Sequence, residues 1–199
     1  MSVTTPYFDQ MFAGNDDPWA FRQRWYEQRK RAVSLAVLTR AHYASIFEPG
    51  CANGELSAEL AARCDRLLCC DTASAAVTLA KKRLAGFSNV LVEQRRLPEQ
   101  WPSEQFELIV LSELCYYLDA ADLERLIDRC LEVLAENGQL LACHWRAPIE
   151  GCPHTAEQVH ALLHQRLGLH AVVRHHEEDF LLDLWSRDSA SVARLEGLR

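Results

Sequence analysis

The sequence predicts an α/β fold, a mostly parallel sheet of seven strands with helices on both faces, closed by a C-terminal antiparallel hairpin. Three observations carry this. Five short apolar runs alternate with helical patterns through the body of the chain. The first run passes through a glycine-bracketed turn into a helix, with an acidic residue ending the next run. The last third then changes rhythm, to two strand-like runs joined by a tight acidic turn.

At 199 residues, 49% hydrophobic and 25% charged, the chain suits one continuous domain with an ample core and a short extension. No apolar run approaches the roughly 18 residues that a membrane span requires, so no membrane partner is expected. Met1 to Asp17 lacks the basic and apolar stretches of a secretory signal. A net charge of -7 argues against nucleic acid as a partner. The eight cysteines include no C-x-x-C pair and mostly fall in apolar segments such as Leu67-Leu68-Cys69-Cys70, so a reduced, cytoplasmic protein without a zinc ribbon is expected.

Taken in order, an irregular aromatic segment precedes a helix over Trp19 to about Leu38. Strands follow at Ser45 to Glu48, Arg66 to Asp71, Val90 to Glu93, Phe106 to Ser112 and Gln139 to His144. Asp119 caps a helix with an apolar face at Leu123, Leu126, Ile127, Cys130 and Leu134, ending at Asn137-Gly138. Thr155 and Gln158 form a capping box for a helix to about Arg166. Ala171 to Glu177 and Phe180 to Ser186 form the hairpin. Residues 1–40 read as a helical extension or lid, 41–187 as a ligand-binding domain and 188–199 as a tail.

The chemistry concentrates at Ile46-Phe47-Glu48-Pro49-Gly50-Cys51-Ala52-Asn53-Gly54. Gly50 allows a sharp turn and close ligand approach, Ala52 is small beside it, and Gly54 permits close helix contact. The helix start at Glu55 offers free N–H groups to an anion. Asp71 ends the second strand 21 residues after Gly50, with Thr72 beside it, where an acid accepting ribose hydroxyls is expected. The loop reads G-x-x-x-G rather than the G-x-G-x-x-G of nicotinamide enzymes, and Glu48 before it would repel a pyrophosphate. A cofactor carrying an ammonium and a sulfonium tolerates that acid.

The E-x-G-x-x-x-G loop resembles motif I of the class I S-adenosylmethionine-dependent methyltransferases, whose Rossmann-like sheet also takes an antiparallel last strand. Further segments narrow the likeness: Tyr7-Phe8-Asp9, Asp17-Pro18-Trp19, Trp25-Tyr26-Glu27, Arg63-Cys64-Asp65, and Ser112-Glu113 followed by Tyr116-Tyr117-Leu118. With His144-Trp145-Arg146-Ala147-Pro148, Val159-His160 and Leu181-Leu182-Asp183-Leu184-Trp185, they resemble the nodulation N-methyltransferase (NodS-like) family from about Tyr7 to Trp185. The resemblance implies S-adenosylmethionine as cofactor, held by Glu48, Gly50, Cys51, Ala52, Gly54, Asp71, Thr72 and Ser112, and an amine acceptor, known in that family as a deacetylated glucosamine of a chitooligosaccharide. The chain departs from the wider methyltransferase pattern after the third strand. Gln94 to Pro98 lacks an Asp for the adenine amino group, and because arginine cannot accept a hydrogen bond, only the place of Arg96 and Leu97 carries over.

Methyl transfer needs an acceptor lone pair aligned with the S–CH3 bond, and an amine must be neutral to supply one. Glu113 and His144, ending strands four and five, are the candidates to contact it; a helix cap for Glu113 and a hydrogen-bonded core position for His144 are the alternatives. Trp145 and Arg146 can flank a sugar ring, while Trp19 and Tyr26 can fold over the cofactor. The basic run Arg22 to Arg31 reads as a solvated helix face. His160 and His164 share a helix face without a third ligand, so no metal is expected; His175 and His176 place one ring on each side of their strand. The rivals are a small-molecule O-methyltransferase, a nucleotide-binding module without catalysis and, disfavoured by the loop and hairpin, a nicotinamide oxidoreductase.

Overall fold

The computed structural model describes residues 1–199. In chain order the elements are α1 (Thr5–Phe12), α2 (Trp25–Ala36), β1 (Tyr43–Pro49), α3 (Glu55–Ala61), β2 (Cys64–Asp71), α4 (Ser74–Arg83) and β3 (Val90–Gln94). They continue with β4 (Phe106–Ser112), α5 (Ala120–Val133), β5 (Leu134–Trp145), α6 (Ala156–Arg166), β6 (His170–His176), β7 (Phe180–Ser186) and α7 (Val192–Leu195). One sheet runs β3-β2-β1-β4-β5-β7-β6. All pairings up to β5 are parallel, and β7 enters antiparallel between β5 and β6. Strand order reverses between β1 and β4, the place where open α/β sheets leave a crevice for a ligand.

Period-2 alternation sorts the strand side chains onto two faces. Phe47, Leu68, Ile109, Leu111 and Leu140 face α5 and α6, whose Leu123, Leu126, Ile127, Val159 and Leu163 close that side. Ile46, Leu67, Cys69, Leu108, Val110 and Leu141 face the other way, toward Leu60, Ala61, Val77 and Ala80 of α3 and α4. The strands are apolar on both faces because both faces are covered. All eight cysteines are free, and seven are buried among these side chains. No helix is long and apolar enough to cross a membrane.

The Asp119 cap forms, its carboxylate accepting from the Asp122 N–H at 3.0 Å, and Thr155 and Gln158 make the capping box. Three boundaries differ from the sequence reading. The N-terminal aromatic segment is itself helical over Thr5–Phe12. The next helix starts at Trp25 rather than Trp19, because Asp17 folds the chain back by accepting from the Phe21 and Arg22 N–H groups at 2.8 and 3.1 Å, and Ala20 turns at φ +58. The α5 helix ends at Val133, and Asn137-Gly138 lies inside β5. Gly138 is needed there for space, since a Cβ would come 2.6 Å from Leu134 Cγ, and the register against β4 shifts between Phe106 and Leu108.

Candidate active site

A cavity of about 730 Å³ opens at the C-terminal ends of β1, β2 and β4, roofed by Ser2 to Phe12 and walled by α2. Its floor is the glycine-bracketed loop. Gly50 (φ +75) and Ala52 (φ +48) both adopt the left-handed region, and a Cβ on Gly50 would come 3.3 Å from Leu114 Cδ1. Gly54 caps α3 outside the cavity; its Cβ would come 3.2 Å from Ala80 Cα, so it sets the approach of α3 to α4. Asn53 is fully buried and donates to Asp17 Oδ1 at 3.1 Å, docking the Asp17-Pro18-Trp19 segment on the loop while its own Oδ1 has no partner.

Asp71 lines the cavity beside Thr72 and accepts from the Ala52 and Ala73 N–H groups at 3.0 and 2.9 Å. Burial holds its carboxyl above the usual carboxylate range despite these donors. Glu48 is almost wholly buried under the loop, and burial pushes its carboxyl up to about 7. Thr72 and Thr5 share a hydroxyl–hydroxyl bond of 2.6 Å, fastening α1 over this end. Arg96, Leu97, Ser112 and Cys51 also line the cavity, but the Arg96 N–H is already bonded to Gln100 Oε1. Trp19 packs edge-on against Phe12 at 5.5 Å in the roof.

The other end is built on Glu113. It holds φ +54 just past β4, and its carboxylate accepts from Lys30 Nζ at 2.8 Å, from the Trp145 N–H at 3.0 Å and from the Tyr116 hydroxyl. Lys30 is 5% exposed and also pairs with Glu27 at 3.1 Å. Burial alone would pull the Lys30 ammonium down; Glu113 and Glu27 outweigh it and hold the group above its ordinary value. Glu27, buried and second in line for that cation, is pushed up. One cation facing two carboxylates leaves the cluster one negative charge in surplus. Tyr26 stands over Lys30 with its ring centroid 5.1 Å from Nζ and meets Trp145 edge-on at 5.2 Å. The Tyr26 hydroxyl is buried without a partner.

Two expected acceptor residues do not reach the cavity. His144 is fully buried, with Nε2 accepting from the Cys115 N–H at 3.2 Å and Nδ1 3.0 Å from His160; alternation along β5 turns it toward α6, and the hydrogen-bonded core alternative describes it. Arg146 lies past the end of β5, bonded to Glu157 at 2.8 Å and the Glu177 carbonyl at 2.6 Å, and ties the hairpin turn to α6. The basic run is solvated as expected at Arg22, Arg24 and Arg29, but not at Lys30. Arg22, Arg29 and Arg31 pair with Glu55, Glu177 and Glu59, and Lys30 points inward. The sequence alone assigns no site role to Glu27, Lys30 or Tyr116, though Glu27 and Tyr116 fall in the segments that carry the resemblance. The signal for the first two was available: Glu27, Lys30 and Ser34 fall at i, i+3 and i+7, one face of α2.

The family model for Nodulation protein S (NodS) matches residues 10–177. Nodulation protein S of Rhizobium tropici is 31% identical over 131 residues, a stretch that covers 63% of this chain and 54% of that protein; the chain thus spans about half the length of that relative. A solved Pseudomonas syringae chain, described as a candidate methyltransferase, is 62% identical with a TM-score of 0.75, over 82% of this chain and 100% of its own. The N-methyltransferase NodS from Bradyrhizobium japonicum WM9, solved with S-adenosyl-L-homocysteine, superposes with a TM-score of 0.83 at 27% identity, over 92% of this chain and 98% of its own.

Proposed function

This chain belongs to the nodulation protein S family, and from that membership we propose that it transfers the methyl group of S-adenosylmethionine to an amine, on a glucosamine unit of an oligosaccharide or a similar small polar acceptor. The observation that carries the amine is the surplus negative charge of the Glu27–Lys30–Glu113 cluster, enclosed at one end of the cavity. An ammonium entering there neutralises the cluster, whereas a hydroxyl does not.

The residues present fit the cofactor. Gly50 and Ala52 leave the loop without side-chain bulk, Asp71 offers carboxylate oxygens to ribose hydroxyls, and the Glu48 carboxyl lies beneath the loop for a cationic group. The sulfonium of the bound cofactor supplies an already activated methyl group. The protein's part is alignment and proton handling. Glu113 orients the amine through a hydrogen bond to its N–H, Glu27 with its raised affinity for a proton takes the one the ammonium sheds, and the roof from Ser2 to Phe12 excludes water.

The test is mass spectrometry of reactions with glucosamine oligosaccharides. Methylation of chains with a free terminal amine is expected and none of fully N-acetylated chains; the reverse pattern rejects the amine assignment. Two predictions concern the cofactor end. Asp71→Ala is expected to weaken S-adenosylhomocysteine binding by roughly 1–3 kcal/mol in calorimetry, and unchanged affinity removes Asp71 from the ribose site. For Glu48 the sign follows from its raised value. The folded protein binds the proton more tightly than the unfolded chain, so stability contributed by Glu48 is full below about pH 4 and is lost as pH rises toward 7. Glu48→Gln is therefore expected to stabilise the ligand-free protein at pH 8 by on the order of 2–3 kcal/mol and to weaken cofactor binding. Equal unfolding midpoints at pH 8 would overturn the first expectation.

A further inference from the structure

The buried histidines behind the site set the geometry of Glu113, an inference that rests on the role of Glu113 given above. Glu113 occupies the left-handed backbone region, which a non-glycine residue keeps only when its surroundings enforce it. Three bonds stitch its turn to the end of β5: the Glu113 N–H donates to the Cys143 carbonyl at 2.8 Å, the Trp145 N–H to Glu113 Oε2 at 3.0 Å, and the Cys115 N–H to His144 Nε2 at 3.2 Å.

The third bond fixes the imidazoles one after another. An amide N–H can only donate, so His144 Nε2 must accept and its proton must sit on Nδ1. That Nδ1 lies 3.0 Å from His160 Nε2, which therefore accepts, leaving the His160 proton on Nδ1, 2.7 Å from Asp183 Oδ2. His144, His160 and Asp183 are each at most 3% exposed. Burial holds His144 well below the ordinary histidine value, with neighbouring His160 and Lys30 adding to the effect. An imidazolium there would set a second donor against the Cys115 N–H. Asp183, for its part, is kept ionised against its own burial by His160 and by His176, whose Nε2 is 3.0 Å from Oδ1. His164 Nε2 approaches Oδ2 at 3.4 Å, with Arg174 and Trp185 donating to the His164 Nδ1.

We propose that Asp183, through His160, locks His144 in the Nδ1–H tautomer, and that these three are positioning residues holding the Glu113 turn in register with the acceptor. Nothing in this relay moves a proton during turnover; its function is to keep one acceptor nitrogen facing the Cys115 amide. The terminal hairpin thereby supports the site from β7, on the far side of β5 from β4.

Two measurements test the proposal on the full chain. Long-range ¹H–¹⁵N spectra of histidine-labelled protein are expected to show both His144 and His160 as Nδ1–H tautomers at about pH 8, with His144 still neutral at about pH 6; an Nε2–H form at either, or an imidazolium at His144, overturns it. In the second, His144→Leu is expected to lower kcat by about 10²-fold while S-adenosylhomocysteine affinity stays within about threefold, and His144→Gln, whose amide oxygen can accept the Cys115 N–H, to recover to within about tenfold of the parent. A folded Leu variant with full kcat, or Leu and Gln variants equally impaired, overturns it. If the Leu variant does not fold, the spectra of the parent protein decide. Absence of turnover by the parent with every amine would count against the proposed function and leave the tautomer result standing, so the two failures are distinguishable.

Discussion

Lys30→Met is expected to lower the unfolding free energy by about 3–5 kcal/mol, because it removes the only cation from between two enclosed carboxylates. The pair is not a surface contact that water would screen, since the Lys30 side chain is 7% exposed and that of Glu113 18%. Methionine keeps most of the volume, so the loss reflects uncompensated charge rather than a cavity. Adding Glu113→Gln to Lys30→Met is expected to restore part of the stability, giving a non-additive double-mutant cycle. The pH sign is also fixed. A lysine held above its unfolded value near 10.4 contributes stability that is full below that pH and is lost as pH rises through the higher folded value. Denaturant titration of the single variant at pH 7 is the check, and a loss under about 1 kcal/mol would mean that Lys30 is solvated after all.

Glu113→Gln is expected to reduce kcat/KM for an amine acceptor by about 10²- to 10⁴-fold. The substitution is close to isosteric and keeps an oxygen for the Trp145 N–H. What it removes is the surplus charge: Lys30 and Glu27 then balance, and the cavity no longer favours an ammonium. Cofactor affinity is expected to change little, because Glu113 and Asp71 lie at the ends of different strands, β4 and β2, on either side of β1. Stopped-time assays with calorimetry on the same preparation separate the two, and a variant with full activity would remove Glu113 from the acceptor site.

What the sequence made legible is what is local in the chain. The segment from Ile46 to Gly54 is read within nine residues because strand, left-handed turn and helix start are consecutive. Asp71 is read from it by the length of one helix and one strand. The Asp119 and Thr155 caps are bonds across three residues. The acceptor end is of another kind. Lys30 meets Glu113 across 83 residues of chain, and nothing near Lys30 distinguishes it from Arg29 and Arg31 except its helical phase. The fate of His144 was decided by His160 and Asp183, on a helix and a strand that the sequence places but does not orient. Asn137-Gly138 misled because a glycine required by crowding looks the same, in one dimension, as a glycine required by φ.

The burial of seven free thiols in the two apolar layers, with Cys152 alone half-exposed, has a practical corollary. Burial pushes Cys115 and Cys130 well above the ordinary thiol value, so few thiolates exist in the folded state to meet an alkylating reagent. The chain thus carries an internal gauge of its own opening. Mass added at Cys152 reports on the reagent, and mass added at Cys115 or Cys130 reports that the layers beneath α5 have parted.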